Sequence, residues 1–384
     1  MEKCKLSCSG EKKVMIDKGY NIRQIEKIEE LLSQNRESYR VDLHLHTNYS
    51  ADGIQTVEQA IDKAKEYKFD IISITDHDSI GAYEKIVCSD SYKEQSNLII
   101  LPGVEFTVSY PEYEGRCHVL KYFFDVRDPW FRHNILQNQK AYQTRMDIWF
   151  GRIMENRVLQ YYMERYDIVC SKNGYLAFLN TGRTNIPEYP TLMEYLYSLL
   201  SPKGINVWDV YEMALKQNTF DPCDLRKNKK SIALQRFVEK YRGQDIAHNY
   251  RKLRPILAPV GIDDNNYPDY ESSGSLSVNE YGQVPIRNLN NSGLNILAHP
   301  EQSKLEYVDS LTDVLHGLEL NCHSDKATNE TVFEKAHDMS LCISRGSDKH
   351  EDTNEFYEDA KFYYMTWSEL QLFAAYAKEL VYNR

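Results

Sequence analysis

Long apolar runs are missing from this 384-residue chain: no segment approaches the ~18 consecutive apolar residues that a membrane-spanning helix needs. Its first residues, Met1 to Cys8, lack the apolar core of a secretory signal. Cysteine is sparse and scattered. Of eight, only Cys4 and Cys8 lie close together, which suits free thiols in a reducing compartment and argues against a disulfide framework. A zinc site on Cys4 and Cys8 finds no neighbouring residue to complete it. Internal repeats are absent too. These absences predict a cytoplasmic globular protein, and 42% hydrophobic with 27% charged residues fits one large domain or two smaller ones. Net positive charge is lacking overall, at −11, but the deficit is uneven. Residues 127–254 hold 21 Lys+Arg against 13 Asp+Glu, a net +8, while the remainder holds 25 against 44, a net −19. An acidic body can hold cations and a basic segment can attract anions.

The most informative stretch that is present runs from Arg40 to Thr47. His44 and His46 stand two apart in an apolar run, and Asp52 follows six residues later. On an extended strand, residues two apart share a face. Val41, Leu43 and Leu45 are therefore expected to face a core while both imidazoles project from the other side. Two neutral imidazoles side by side form part of a shell for a divalent metal.

Around this stretch, strands and helices alternate. Residues 21–35 carry Ile22, Ile25, Ile28, Leu31 and Leu32 at helical spacing, predicting an amphipathic helix against the outside of the body. Strands or apolar runs are predicted at residues 41–45, 70–75, 103–107 (entered from 98–102), 118–124, 294–300, 317–321 and 341–344. Helices are predicted at 57–67, 80–89, 329–339 and from Trp367 onward. Such alternation predicts a parallel sheet with crossover helices, either open or closed into a barrel. Four segments follow: an N-terminal helical extension (1–39), a first α/β part (40–125), a mostly helical basic insertion (126–285), and a second α/β part with a C-terminal helix (286–384). Within the insertion, residues 138–156 and 189–200 read as helices and 263–282 as a Gly/Ser/Asn-rich loop.

Further ligand-type residues stand at or near the predicted strand ends: His77 in Thr75-Asp-His-Asp78, Glu105, His118, His299 before Pro300, and Asp348 with His350. In parallel βα architectures the loops at the strand C-termini converge on one face. Six histidines and three carboxylates there exceed one tetrahedral ion and suit two or three, with a carboxylate bridging. Asp76 or Asp78 is a candidate to orient a histidine ligand, with turn formation as the alternative. Glu319 and Asn321 stand where they can support the site, and His323 beside them is a candidate substrate contact. Cys117 and Cys322 also lie beside it in sequence, where buried packing is a more ordinary use than nucleophilic catalysis.

This ordered set resembles the PHP (polymerase and histidinol phosphatase) domain family. His44-x-His46-Thr47 followed by Ser50-Ala-Asp-Gly53, Thr75-Asp-His77, Gly103-x-Glu105, His118, His299-Pro300 and Gly346-Ser-Asp348-x-His350 match its motifs in order; Ala51 is an extra residue in the first. The resemblance implies a distorted (β/α)7 barrel, TIM-barrel-like, with the helical insertion outside it. It implies that His44, His46, Glu105 and Asp348 hold the first, water-activating metal. Glu105 would bridge to a second ion on His118 and His299, and Asp52, His77 and His350 would hold a third. Zinc, manganese and iron all suit such imidazole and carboxylate ligands. Closely spaced divalent ions bind phosphate oxygens and activate water, so phosphoester hydrolysis without a protein nucleophile is the expected activity.

The basic insertion leaves between His118 and His299, and family members active on nucleotides carry a cap in this region. Arg226, Lys227, Arg251 and Arg254 are candidates to clamp phosphate, and Tyr161, Tyr162 and Tyr166 to stack a base. A phosphorylated small molecule or nucleotide is the expected substrate. A nuclease with the insertion holding a strand is the alternative, and a non-catalytic metal-stabilised module the third reading.

Overall fold

A computed structural model describes residues 16–50, 52–88, 97–110, 115–179, 189–217, 225–257, 284–290, 292–350 and 362–383. Among these residues nine strands are formed in chain order: β1 (Ser38–Leu45), β2 (Ile71–Ile74), β3 (Ile99–Tyr110), β4 (Gly115–Tyr122), β5 (Val284–Pro285), β6 (Leu294–Leu297), β7 (Gly317–Asn321), β8 (Cys342–Gly346) and β9 (Tyr364–Thr366). The helices are α1 (Lys18–Leu32), α2 (Val57–Glu66), α3 (Gly81–Cys88), α4 (Pro129–Glu155), α5 (Arg157–Arg165), α6 (Lys172–Leu179), α7 (Tyr189–Leu200), α8 (Val207–Gln217), α9 (Leu225–Tyr241), α10 (Arg254–Leu257), α11 (Lys326–Asp338) and α12 (Trp367–Tyr382). Residues 1–139 with 283–384 make one compact unit and 140–282 a second, and α4 runs across the first boundary. None of the helices among the described residues is long and apolar enough to cross a membrane.

In the first unit the strands β1, β2, β3, β4, β6, β7 and β8 follow one another around a single sheet. The sheet curls back on itself where Leu45 bridges Lys349 in parallel, with His46 N donating to Lys349 O at 2.9 Å and Asp348 N to His44 O at 2.9 Å. This is the distorted (β/α)7 barrel. Its distortion is β4, which runs antiparallel to both β3 and β6 and corrects the expectation of an all-parallel sheet. Only four residues separate β3 from β4. That permits a hairpin but not a parallel crossover, which needs a dozen or more.

Side chains alternate between two cores. Ile72, Ile74, Val104, Phe106, Leu318 and Ile343 pack with Val57 and Ile61 of α2, Tyr83 and Ile86 of α3, and Val332 of α11. The other face, with Ile71, Leu101, Leu120, Ile296 and Cys342, packs with Ile25, Ile28 and Leu32 of α1 and Leu370 and Phe373 of α12. Helix starts are secured locally: Thr56 with Gln59 opens α2, and Thr366 with Glu369 opens α12, each pair as a reciprocal capping box. The N-terminal helix is fixed by more than its apolar stripe, since Asn21 Nδ2 donates to Phe123 O and Phe124 O at 2.9 and 3.0 Å.

One expectation for β1 is overturned. Val41 and Leu43 pack in the cluster shared with α1 and α12, whereas Leu45 packs in the cluster shared with α2 and α3. The pairing to β2 slips between Asp42 and Leu45: three steps along β1 answer two along β2. This bulge breaks the strict alternation, so His44 and His46 take the face that Val41 and Leu43 hold lower down. Bulges are a common device for re-aiming side chains at functional sites.

The second unit, described by itself, is helical. Trp149, Ile153, Leu159, Tyr162, Leu192, Leu196, Tyr211 and Leu253 form its core. Its buried tyrosines reach backbone acceptors: Tyr162 Oη donates to Asp209 O at 2.9 Å and Tyr211 Oη to Lys252 O at 2.6 Å. The stretch 263–282, expected as a loop, lies outside the described residues, as do Cys4 and Cys8.

Candidate metal centre

All nine ligand-type residues converge at one end of the barrel. His44 and His46 come from the end of β1, Asp52 from the loop after it, and His77 from the loop after β2. Glu105 lies within β3, in phase with Leu101. His118 lies in the first half of β4, because an antiparallel strand begins at the end where its parallel neighbours finish. His299 follows β6, and Asp348 and His350 follow β8. Two of these residues have left-handed backbone, His299 at φ 28° and Asp348 at φ 52°, a conformation unusual for residues other than glycine and one that clusters at functional sites.

The first group is the tightest. His44 Nε2 and His46 Nε2 are 3.1 Å apart. Glu105 Oε2 lies 3.2 and 3.0 Å from them, and Asp348 Oδ1 lies 3.3 and 3.2 Å from them. Donors bound to one ion at zinc-like distances in a tetrahedron are separated by about 3.3 Å. A second group forms around the other oxygen of the same carboxylate: Glu105 Oε1 is 2.9 Å from His118 Nδ1 and 3.2 Å from His299 Nε2, which are themselves 3.2 Å apart. In the third, Asp52 Oδ2 is 3.3 Å from both His77 Nε2 and His350 Nε2, so the extra Ala51 does not keep Asp52 away. His77 also turns Nδ1 to Glu105 Oε2 at 3.2 Å.

The surroundings set the tautomers of the first pair. His44 Nδ1 is 2.8 Å from Glu319 Oε1, an acceptor only, so Nδ1 carries the proton and a neutral ring presents its lone pair at Nε2. Ser50 Oγ donates to Asp52 Oδ1 at 2.8 Å, which leaves it to accept from His46 Nδ1 at 3.1 Å. Both Nε2 lone pairs then point at the same carboxylate oxygens, and Glu105 Oε2 is buried without a hydrogen-bond partner. Converging acceptors of this kind could hold a metal ion.

The carboxylates also draw positive charge to this centre, which either ring protons or a bound cation can supply. Burial favours a neutral His44, yet Glu319, Glu105 and Asp348 outweigh it and hold the ring well above the usual histidine range. His46 is likewise buried but pushed up to about 9 by Asp348 and Glu105. Burial opposes ionisation of Glu105, but His77, His118 and His44 hold it well below the usual carboxylate range. Asp52 is lowered by His77 and His350 against the same penalty. His118 differs, pushed down to about 4 by burial despite Glu105. The donor set fits divalent ions.

Of the two readings open for Asp76 and Asp78, their hydrogen bonds favour the loop-holding one. Asp76 accepts from Thr47 N and Thr47 Oγ1 at 2.6 and 2.8 Å, so it ties two loops together and does not orient a histidine. Asp78 accepts from Thr107 N at 3.1 Å and Asn138 Nδ2 at 2.6 Å, holding the turn after His77 from behind. Asp42, which no sequence pattern singled out, does for the Asp348 loop what Asp76 does for Thr47, accepting from Ser347 N and Oγ at 2.9 and 2.8 Å. Asn138 was also missed; its partners lie far away in sequence.

Cys117 is buried in the apolar core, and the Cys322 thiol is pushed up to about 12 by burial, which removes both as thiolate nucleophiles. His323 follows β7, its backbone N–H bonded to Asn321 Oδ1 at 2.8 Å. Of the basic candidates, Arg251 is half-exposed and 3.7 Å from Glu194. Arg226 and Lys227 lie on α9 and Arg254 begins α10, with side chains outside the described set. Tyr162 belongs to the core of the second unit, and Tyr161 and Tyr166 flank it.

The family model of the PHP domain matches residues 42–182, a stretch containing six of the nine converging residues. Over these residues the chain is similar to the PHP domain. A 5'-3' exoribonuclease, Rnm, from Salmonella typhimurium is 29% identical over 153 residues, which cover 39% of this chain and 47% of that one. The match therefore spans about half of the relative's length. A Bifidobacterium adolescentis protein proposed to be a metal-dependent phosphoesterase aligns at 16% identity and a TM-score of 0.47, over 81% of this chain and 88% of its own. A Chromobacterium violaceum amidohydrolase aligns at 15% identity and a TM-score of 0.43, over 85% and 98%. Six of the nine residues lie in the matched stretch, and the geometry gathers all nine into three groups, two of them sharing Glu105.

Proposed function

We propose that this protein is a hydrolase of phosphoesters that works with two or three divalent ions. The supporting observation is the pair of buried donor groups sharing Glu105, one carboxylate oxygen facing His44, His46 and Asp348, the other His118 and His299. Divalent ions so placed would bind phosphate oxygens and lower the pKa of water. The chain's own part is to hold donors in fixed directions. Glu319 and Ser50 keep the Nδ1 protons of His44 and His46, Asp42 and Asp76 brace the two loops, and Glu105 joins neighbouring positions. Asp52, His77 and His350 would hold the third ion. Zinc, manganese and iron all suit this donor set.

A phosphorylated small molecule or nucleotide is the first substrate reading. A second, nucleolytic reading is favoured by the named exoribonuclease relative, with Arg251, Arg226, Lys227 and Arg254 as candidate phosphate contacts and His323 as a candidate contact beside the centre. Elemental analysis of purified protein, joined to a screen of phosphomonoesters, phosphodiesters and a labelled RNA oligonucleotide, tests both. Ions in stoichiometric amount with turnover of a phosphomonoester support the first reading; cleavage of the oligonucleotide alone replaces it with the second. Ions without hydrolysis of any phosphoester sink the enzyme reading.

A further inference from the structure

We propose that Glu319 is a positioning residue that makes the first and second metal positions load as one unit; this rests on the metal-dependent reading above. Glu319 sits near the end of β7, 1% exposed, and binds no candidate position directly. Its Oε1 accepts from His44 Nδ1 at 2.8 Å and its Oε2 accepts from the backbone N–H of His299 at 2.6 Å. His44 belongs to the first donor group and His299 to the second. One carboxylate thus sets the direction of a lone pair in one group and the backbone that carries a ring in the other.

The His299 bond falls where help is needed. At φ 28° this residue lies in the left-handed region, which a histidine rarely adopts unless its surroundings hold it there. The chain also leaves room for nothing else. A Cβ on Gly346, across from Asn321 on β8, would stand 2.4 Å from Glu319 Oε1 and 2.3 Å from the His44 Cβ. Glycine at this point lets the carboxylate and the imidazole close on each other.

Chemistry makes the role specific to a carboxylate. Both partners are N–H donors, so two acceptor oxygens satisfy both. A glutamine offers one oxygen and an NH2 group that must face one of the two donors. An aspartate keeps both oxygens but is one methylene shorter.

The test uses the full chain, stripped of metal and titrated with Co²⁺ in competition with a chelator, with the visible Co²⁺ spectrum as a second readout. Glu319→Gln is expected to weaken binding at two positions together, by roughly 10- to 100-fold, as loss of an outer hydrogen-bond partner does elsewhere. Occupancy by the Asp52, His77 and His350 group should persist. Glu319→Asp should recover part of the loss. His350→Ala should show the converse, losing one position and keeping the coupled two. Unchanged Co²⁺ affinities and spectrum in Glu319→Gln overturn the proposal, as does loss of a single position. Should that variant fail to fold, the ¹⁵N shifts of His44 in wild-type protein decide: a protonated Nδ1 supports the role and an unprotonated one overturns it. Every readout is independent of turnover. A wild-type protein that binds Co²⁺ cooperatively yet hydrolyses no phosphoester overturns the proposed function alone.

Discussion

On β1, Val41 and Leu43 lie among apolar side chains of α1 and α12, and His44 and His46, directly after them, lie among buried carboxylates. The same contrast recurs on β3 between Leu101 and Glu105, and on β4 between Leu120 and His118. The apolar end contributes stability through burial, each buried leucine or phenylalanine adding roughly 1.5–3 kcal/mol on leaving water. The other end places buried histidines against buried carboxylates, and buried charge is costly unless paired and neutralised. The barrel therefore carries a polar end whose donors could hold cations and an apolar end that offers none.

The sharpest break of this symmetry removes the cations or one donor. His44→Ala, or chelation of the wild-type protein, should reduce hydrolysis to background while the urea unfolding transition remains cooperative; retained turnover in either case would move the chemistry elsewhere. The next largest effect is the mirror image. Phe373 of α12 is fully buried against Tyr122 and Phe123. Phe373→Ala should cost about 3–5 kcal/mol by urea denaturation, yet leave kcat per folded molecule unchanged. A drop in kcat at saturating metal would show that the two ends are not separable.

The contrast also explains what could be read from sequence. Strands ending in His, Asp or Glu were legible because an apolar run broken by a ligand-type residue is a local pattern, as at Leu297-Ala-His299. The direction of β4 was not carried by its alternation, which is the same in either sense; it lay in the four-residue gap before Gly115. The bulge at residues 42–45 depends on how β1 meets β2, so periodicity alone put Leu45 on the wrong face. Glu319 stood out by its place near a strand end. Asn138 did not, since it sits in an ordinary helical stretch and its partners Asp78, Thr107 and Val284 are 60, 31 and 146 residues away.

A smaller effect is expected at a histidine outside the site. His316 Nδ1 accepts the backbone N–H of Asn295 at 3.0 Å, which requires an unprotonated nitrogen, and burial with Lys121 nearby pushes the ring down to about 4. The folded state thus holds this proton less tightly than the unfolded chain does. Its contribution to stability is fully present above pH ~6.5 and is lost as pH falls towards 4, on the order of 2–3 kcal/mol in all. Glutamine can accept the same bond through its side-chain oxygen without titrating. The difference in urea midpoint between wild type and His316→Gln, measured in chelator at pH 7.5 and 5, should therefore shift in favour of the variant on acidification. An equal midpoint difference at both pH values refutes it.

The smallest effect is expected at Arg251, in the second unit. Its side chain is 48% exposed and its approach to Glu194 is a loose 3.7 Å, so the pair adds little to stability. Arg251→Ala should leave the urea midpoint unchanged. If the second unit holds a nucleic-acid strand, the variant should instead show itself in salt dependence. Removing one cation that neutralises a phosphate lowers the slope of log affinity against log salt by about 0.7 for a single strand. A slope that does not move for an RNA oligonucleotide removes Arg251 from the strand-binding residues. It would also favour a small phosphorylated substrate.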